Sequence, residues 1–152
     1  AGGVRTLISD PATIEKELQE ADLVIGAVLI PGSAAPKLVR EETVKKMKKG
    51  AVLVDVAIDQ GGCFENSKKT SHDDPTFKVH DTLFYCVANM PGAVANTSTR
   101  ALSSATLPYI RAVAKDNLDA AIKRFPGLEG GVMTRGGRLV SEPVRKAFDW
   151  DD

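Results

Sequence analysis

No two glycines in this chain stand two residues apart, although 13 of its 152 residues are glycine. That excludes the G-x-G-x-x-G loop that cradles a pyrophosphate, and no P-loop pattern is present either. A dinucleotide site on this chain therefore needs its phosphate-binding half elsewhere. Charge of one sign is also lacking, since 20 Lys plus Arg balance 20 Asp plus Glu and the net charge is zero. The electrostatic case for nucleic acid or an anionic membrane surface falls with it. No apolar run approaches the roughly 18 residues of a membrane helix, and the N-terminus lacks the basic-then-apolar layout of a signal peptide. A soluble, cytoplasmic chain is the resulting expectation. Cysteine is scarce: Cys63 and Cys86 are the only two, in neither a C-x-x-C pair nor a zinc spacing. Two such residues make no disulfide framework, and Cys86, inside Leu83-Phe84-Tyr85-Cys86-Val87, reads as a small buried hydrophobe.

What is present is enough to fold. Leu, Ile, Val and Phe supply 39 positions, and 43% of the chain is hydrophobic, well outside the disordered range. One domain is the default at this length. It is short for an enzyme holding a dinucleotide and a second substrate, because a full Rossmann domain alone takes two βαβαβ halves.

Short β-branched runs alternate with helix-period segments, which predicts an α/β fold with a parallel sheet and crossover helices. Val4 to Ile8 reads as a first strand. Asp10 is a good N-cap before Pro11, and Ile14 and Leu18 give the apolar stripe of a helix ending near Glu20. Asp22 to Leu29 is a second, buried strand. After a loop with Pro31, Gly32 and Pro36, a helix over Glu41 to Lys49 turns Val44 and Met47 inward and closes at Gly50. Ala51 to Ile58, rich in Val, is expected to be a strand covered on both faces, completing a βαβαβ unit. Phe77 to Val79 and Thr82 to Val87 flank a tight turn at His80-Asp81. A long helix opens at Asn96 or Thr97 and runs to about Asn117, with Pro108 set to kink or divide it. Beyond Gly127 the composition changes: Val132 to Thr134 and Arg138 to Val140 suit a small hairpin, and Ser141 suits the cap of a last helix.

Ligands of open parallel sheets bind outside the carboxyl ends of the strands. Four segments qualify: Ser9-Asp10, Val28 to Gly32, Asp59 to Gly62, and Ala88 to Gly92. Asp59 is the sharpest, a carboxylate just past an apolar run and followed by two glycines; it either reaches a ligand or bonds the backbone of Gly61 in an Asx turn. Asn89 has the same choice between ligand recognition and closing a turn, and Ser9 beside Asp10 suits plain helix capping. His72-Asp73-Asp74 holds metal-ligand residue types, but consecutive residues converge poorly on one ion, so no metal site is expected. Lys37, Arg40, Lys45, Lys46, Lys48 and Lys49, diluted by Glu41 and Glu42 and without an aromatic, read as a solvated helix face.

Three motifs carry a resemblance. Ala21 to Gly32 (ADLVIGAVLIPG), Val54 to Glu65 (VDVAIDQGGCFE) and Tyr85 to Val94 (YCVANMPGAV), in that order, resemble the C-terminal part of the NAD-dependent L-alanine dehydrogenases. Thr97-Ser98-Thr99, Ala105 to Tyr109 and Leu139 to Glu142 fit as well. The resemblance implies an incomplete, doubly wound Rossmann-like sheet with C-terminal helices: residues 1–126 the distal part of an NAD-binding domain, and 127–152 a tail resembling the segment that returns to a substrate domain. It implies a parent enzyme that oxidises L-alanine to pyruvate and ammonium with NAD in a homo-hexamer. It places cofactor contacts on Ser9, Val28, Leu29, Val56, Asp59, Val87, Asn89 and Met90, with Lys68 where relatives carry Arg, and gives Asp59 an active-site role beside the nicotinamide ribose. The family's catalytic histidine, its alanine-carboxylate clamp, its glycine loop and its acidic ribose-binding residue have no counterpart here. The isolated chain is therefore expected to be inactive. The NAD-binding domain of the proton-translocating transhydrogenases is a related alternative, and a non-catalytic nucleotide-binding or assembly piece is another.

Overall fold

The computed structural model describes residues 3–30 and 34–148; Pro31 and Gly32, picked out above as part of a rim segment, lie outside them. The chain divides into two compact units, one built from the residues up to Ile30 together with Ala34–Met90, the other following from Pro91.

In the first unit, helix α1 (Pro11–Glu20) begins where local chemistry dictates. Asp10 accepts the amide of Thr13 at 3.0 Å and Pro11 occupies the first turn, so two of the orphan N–H groups of the helix start are dealt with by a cap and a proline. Hydrogen bonds from Thr13 hold the Asp10 carboxyl below its ordinary value of 3.8. Strand β1 (Leu23–Gly26) pairs in parallel with β2 (Val52–Asp55), which pairs in parallel with β4 (Thr82–Tyr85); β3 (Thr76–Val79) closes the edge as an antiparallel hairpin partner of β4. The sheet order is β1-β2-β4-β3. Between β1 and β2, α2 (Glu41–Val44) is a single turn rather than the longer helix expected, although Val44 and Met47 are buried as read and Gly50 takes a positive φ of 81°.

The core lies on one face of this sheet. Leu53 and Phe84 are neighbours in register and fully buried. Phe64 meets Phe84 edge-on with centroids 5.9 Å apart, and Phe77 sits 5.4 Å away on its other side. The opposite face carries Leu23 and Ile25, 57% and 61% exposed, beside half-buried Val52, Val54, Leu83 and Tyr85.

Three strand expectations are corrected by this arrangement. Val4 to Ile8 is not a strand: Val4 and Ile8 are 89% and 87% exposed, and β1 pairs only with β2 among the described strands. An apolar run becomes a strand only where a neighbouring edge receives its backbone. The run from Asp22 to Leu29 is extended only over Leu23–Gly26 and is not buried on both faces. The run from Ala51 to Ile58 stops being a strand at Asp55, and Val56–Gln60 forms a 3-10 turn. The Asp55 side chain accepts the amide of Ala57 at 3.0 Å, which removes that donor from the ladder and bends the chain into the turn.

The second unit holds α3 (Ala95–Asp116), α4 (Leu118–Arg124), a short hairpin of β5 (Thr134–Arg135) with β6 (Arg138–Leu139), and α5 (Glu142–Ala147). Pro108 lies inside α3, which continues through it for 22 residues instead of dividing. Asn117, at φ 112°, ends α3 and caps α4 through the Ala120 amide at 3.0 Å. The hairpin turns on Gly136 and Gly137, both at positive φ, as a type I′ turn requires. Ser141 stands at the N-cap of α5 without a side-chain bond to it.

Candidate functional site

The parallel strands β1, β2 and β4 end side by side at Gly26, Asp55 and Tyr85, so the segments after them share one rim of the sheet. Gly26 is opposite Asp55 in register, and a Cβ there would lie 2.3 Å from the Cys63 sulfur and 2.7 Å from the Phe64 ring. Glycine is needed because the segment after β2 folds back across the end of β1.

That segment is organised around Asp55, a carboxylate with no exposed surface. Its Oδ1 accepts the Ala57 amide, its Oδ2 accepts the amides of Cys63 at 2.9 Å and Phe64 at 3.4 Å, and the Ser67 hydroxyl donates to the same oxygen. Gly62, at φ 76°, brings the backbone so close that a Cβ would lie 2.6 Å from Asp55 Oδ2. A buried carboxylate is tolerable only when so paired. Burial, with the Asp55 charge second, pushes the Cys63 thiol up to about 12 from its ordinary 9.0, and burial raises Cys86 in the same direction. Both thiols are expected to resist a maleimide at pH 8 until the chain unfolds. Since the folded chain holds the Cys63 proton more tightly than the unfolded one, this contribution to stability is complete below pH 9 and declines as pH rises towards 12. A thiol that labels at the rate of a free cysteine in the native chain would contradict the burial.

The result is a cleft of about 260 Å³ lined by Ala27, Val28, Leu29, Val56, Ala57, Asp59 and Gln60. Four of the expected site residues, Val28, Leu29, Val56 and Asp59, are brought together there. Asp59 does not make the Asx turn with Gly61, whose amide bonds Ile58 instead; the Asp59 carboxylate accepts the Asn89 amide at 3.3 Å. Asn89 has φ 53°, and its carbonyl is 3.3 Å from His72 Nε2. Asn89 thus joins the cleft through its backbone. Val87 is fully buried and Met90 starts the following 3-10 turn, and neither lines the cleft. Ser9 lines a different cleft, of about 460 Å³, with Asp10, Lys37 and Arg40 among its walls. Lys68 sets its ammonium 4.4 Å from the centre of the Phe77 ring. Among the described residues no cluster of three or more His, Cys, Asp or Glu side chains is arranged to hold a metal ion.

The reading from sequence passed over two residues that matter here. One is Asp55, whose signal was a lone acid inside an apolar strand. The other is Lys37, placed with the solvated lysines; its ammonium instead donates to the carbonyls of Gly61, Gly62 and Phe64 at 2.6, 2.9 and 3.2 Å. Gln60 adds a side-chain oxygen that is buried with no hydrogen-bond partner among the described residues.

A mostly parallel sheet with an apolar, carboxylate-bearing cleft at its strand ends defines an α/β domain of the doubly wound, ligand-binding class. The chain belongs to the alanine dehydrogenase/PNT C-terminal domain family, whose model matches residues 1–142. It is 56% identical over 148 residues to the alanine dehydrogenase of Mycolicibacterium smegmatis, a match that takes in 97% of this chain and 40% of that protein. It is 55% identical over 143 residues to that of Mycobacterium tuberculosis, covering 94% of this chain and 38% of the relative. Among solved structures, an L-alanine dehydrogenase superposes with a TM-score of 0.72 at 46% identity, over 93% of this chain and 39% of its own. A transhydrogenase from Sinorhizobium meliloti shares the fold, with a TM-score of 0.65 at 24% identity over 88% of this chain and 36% of that one. The chain thus spans about 40% of the length of the curated alanine dehydrogenases it matches.

Proposed function

We propose that this chain supplies the nicotinamide side of the NAD site of an L-alanine dehydrogenase, the enzyme that oxidises L-alanine to pyruvate and ammonium. The observation that carries the proposal is the convergence of Val28, Leu29, Val56, Asp59 and Gln60 on one cleft at the carboxyl ends of the parallel strands. The residues fit the cofactor's less charged half. Val28, Leu29 and Val56 offer an apolar wall to one face of a flat ring and keep water from it. Asp59 offers carboxylate oxygens to ribose hydroxyls, and the unpartnered Gln60 oxygen offers an acceptor to an amide or hydroxyl donor. Val87, Asn89 and Met90 extend this rim, while Ser9 and Lys68 belong to its flanks in this reading. When bound, NAD supplies the hydride acceptor; these residues bind, orient and exclude water. The 55 and 56% identities to alanine dehydrogenases, against 24% to the transhydrogenase, favour the dehydrogenase.

The same reading assigns residues 127–152 to the segment returning to the substrate domain, and gives the parent a cytoplasmic location and a homo-hexameric assembly. The exposed Leu102, Tyr109 and Ile110 of α3 suit burial in such an assembly. Titration of the 152-residue chain with NAD, followed by amide NMR, is expected to shift Val28, Val56, Asp59 and Gln60. Affinity should be weak, roughly millimolar, because the pyrophosphate has no glycine loop. No alanine-dependent NADH should form. Unshifted cleft amides at saturating NAD would sink the cofactor assignment, and turnover by the isolated chain would sink the partial-site reading.

A further inference from the structure

We propose that Lys37 is a positioning residue for this cleft, holding the segment that carries Asp59 by taking the backbone carbonyls on its far side. The stretch from Ala35 to Val39 runs alongside residues 60–65: the Ala35 amide bonds the Gln60 carbonyl at 2.9 Å, the Leu38 amide bonds Cys63 at 2.8 Å, and the Glu65 amide bonds Val39 at 2.8 Å. From the middle of this stretch Lys37 reaches across, and its three N–H groups meet the three carbonyls of Gly61, Gly62 and Phe64. An ammonium has three donors and no acceptor, so this arrangement uses it completely. The carbonyls converge because Gly61 and Gly62 both take positive φ, 91° and 76°, which side-chain-bearing residues adopt only at a cost.

Asp55 does the complementary work. It collects the amides of Ala57, Cys63 and Phe64. Three donors of the segment thus end on one carboxylate and three of its acceptors on one ammonium, with Val56, Asp59 and Gln60 carried between them. Removing the ammonium leaves three carbonyl dipoles pointing at one place, and the glycines have the freedom to turn away. The Gln60 and Asp59 side chains, one and two residues before Gly61, move with that turn. Lys37 is itself exposed, so water replaces part of what is lost and the expected effect is about tenfold rather than hundredfold.

The ligand here rests on the NAD reading above; the positioning does not. The test compares the whole chain with Lys37→Met, which removes all three donors, and Lys37→Arg, which keeps charge and donors. Three readouts are taken: amide hydrogen exchange, the chemical shift of the Asn89 amide that donates to Asp59, and NAD-induced shifts. In Lys37→Met, the amides from Ala57 to Phe64 are expected to exchange about tenfold faster while those of α4 do not change. The Asn89 amide signal should move, and NAD should bind about tenfold more weakly. Lys37→Arg should restore most of each. Unchanged exchange at 57–64, an unmoved Asn89 amide signal, or acceleration spread over the whole first unit would overturn the proposal. So would NAD binding unaltered by a loosened segment. If the unaltered chain shows no NAD shifts but Lys37→Met still moves exchange and the Asn89 amide signal, the cofactor reading falls and the positioning stands.

Discussion

Asp55→Leu is expected to cost about 3–6 kcal/mol of folding stability, a large share of what a domain of this size possesses. Leucine keeps the branching of aspartate with bulkier methyls in place of the two oxygens, and the larger part of the loss is one of hydrogen bonds. It comes from three backbone amides, those of Ala57, Cys63 and Phe64, and the Ser67 hydroxyl, all of which donate to the Asp55 carboxylate. Each buried donor left unpaired costs about 1–3 kcal/mol, and water reaches some of them once the segment loosens. Asp55→Asn should fall between: the amide oxygen serves either Ala57 or Cys63, while the NH2 group faces donors that it cannot satisfy. Urea unfolding followed by circular dichroism measures both. A midpoint for Asp55→Leu within about 1 kcal/mol of the unaltered chain would show that the amides find other partners.

Gly26→Ala should destabilise the first unit by about 3 kcal/mol or more, although alanine is not a poor strand residue. The new methyl would stand 2.3 Å from the Cys63 sulfur and 2.7 Å from the Phe64 ring, and both side chains are buried. Neither has a free path, since Cys63 is tied to Asp55 through its amide and Phe64 is fixed against Phe84. The steric origin predicts a specific rescue. Cys63→Ala in the same chain removes the nearer atom, so the double variant should recover part of the loss, with a coupling of about 1 kcal/mol or more. Strict additivity of the two substitutions in thermal unfolding would refute the close packing of Gly26 on Cys63.

Both substitutions act where the sequence was only half legible. Helix α1 was readable to the residue because Asp10, Pro11 and the Ile14 and Leu18 stripe act within one or two turns. The His80-Asp81 turn was readable for the same reason, as a two-residue loop between short runs, and the hairpin before α5 was readable too, although its first strand takes in Arg135 and leaves only Gly136 and Gly137 in the turn. The cleft is legible as a place, since ligands of parallel sheets gather at strand ends: Val28, Leu29 and Asp59 lie in segments that follow apolar runs, while Val56 comes only from the family resemblance. Val4 to Ile8 has the composition of a strand but no edge to pair with. Asp55 was hidden in an apolar run whose continuation it ends, and Lys37 was lost among lysines that do face water.

By itself, then, the sequence determined the fold class, most of the order of elements, the family and the strand ends at which the cleft is found. All of these follow from periodicity, from caps and turns, and from motifs carried on contiguous residues. Only the tertiary structure decided where strands stop, which face of the sheet is covered, and how the Asp59 segment is held. Those depend on partners far apart along the chain: Lys37 reaches carbonyls 24 to 27 residues away, and Asp55 reaches amides eight and nine residues on. A hydrogen bond of that span leaves no periodic trace in a sequence, because nothing between its ends needs to repeat for the two groups to meet.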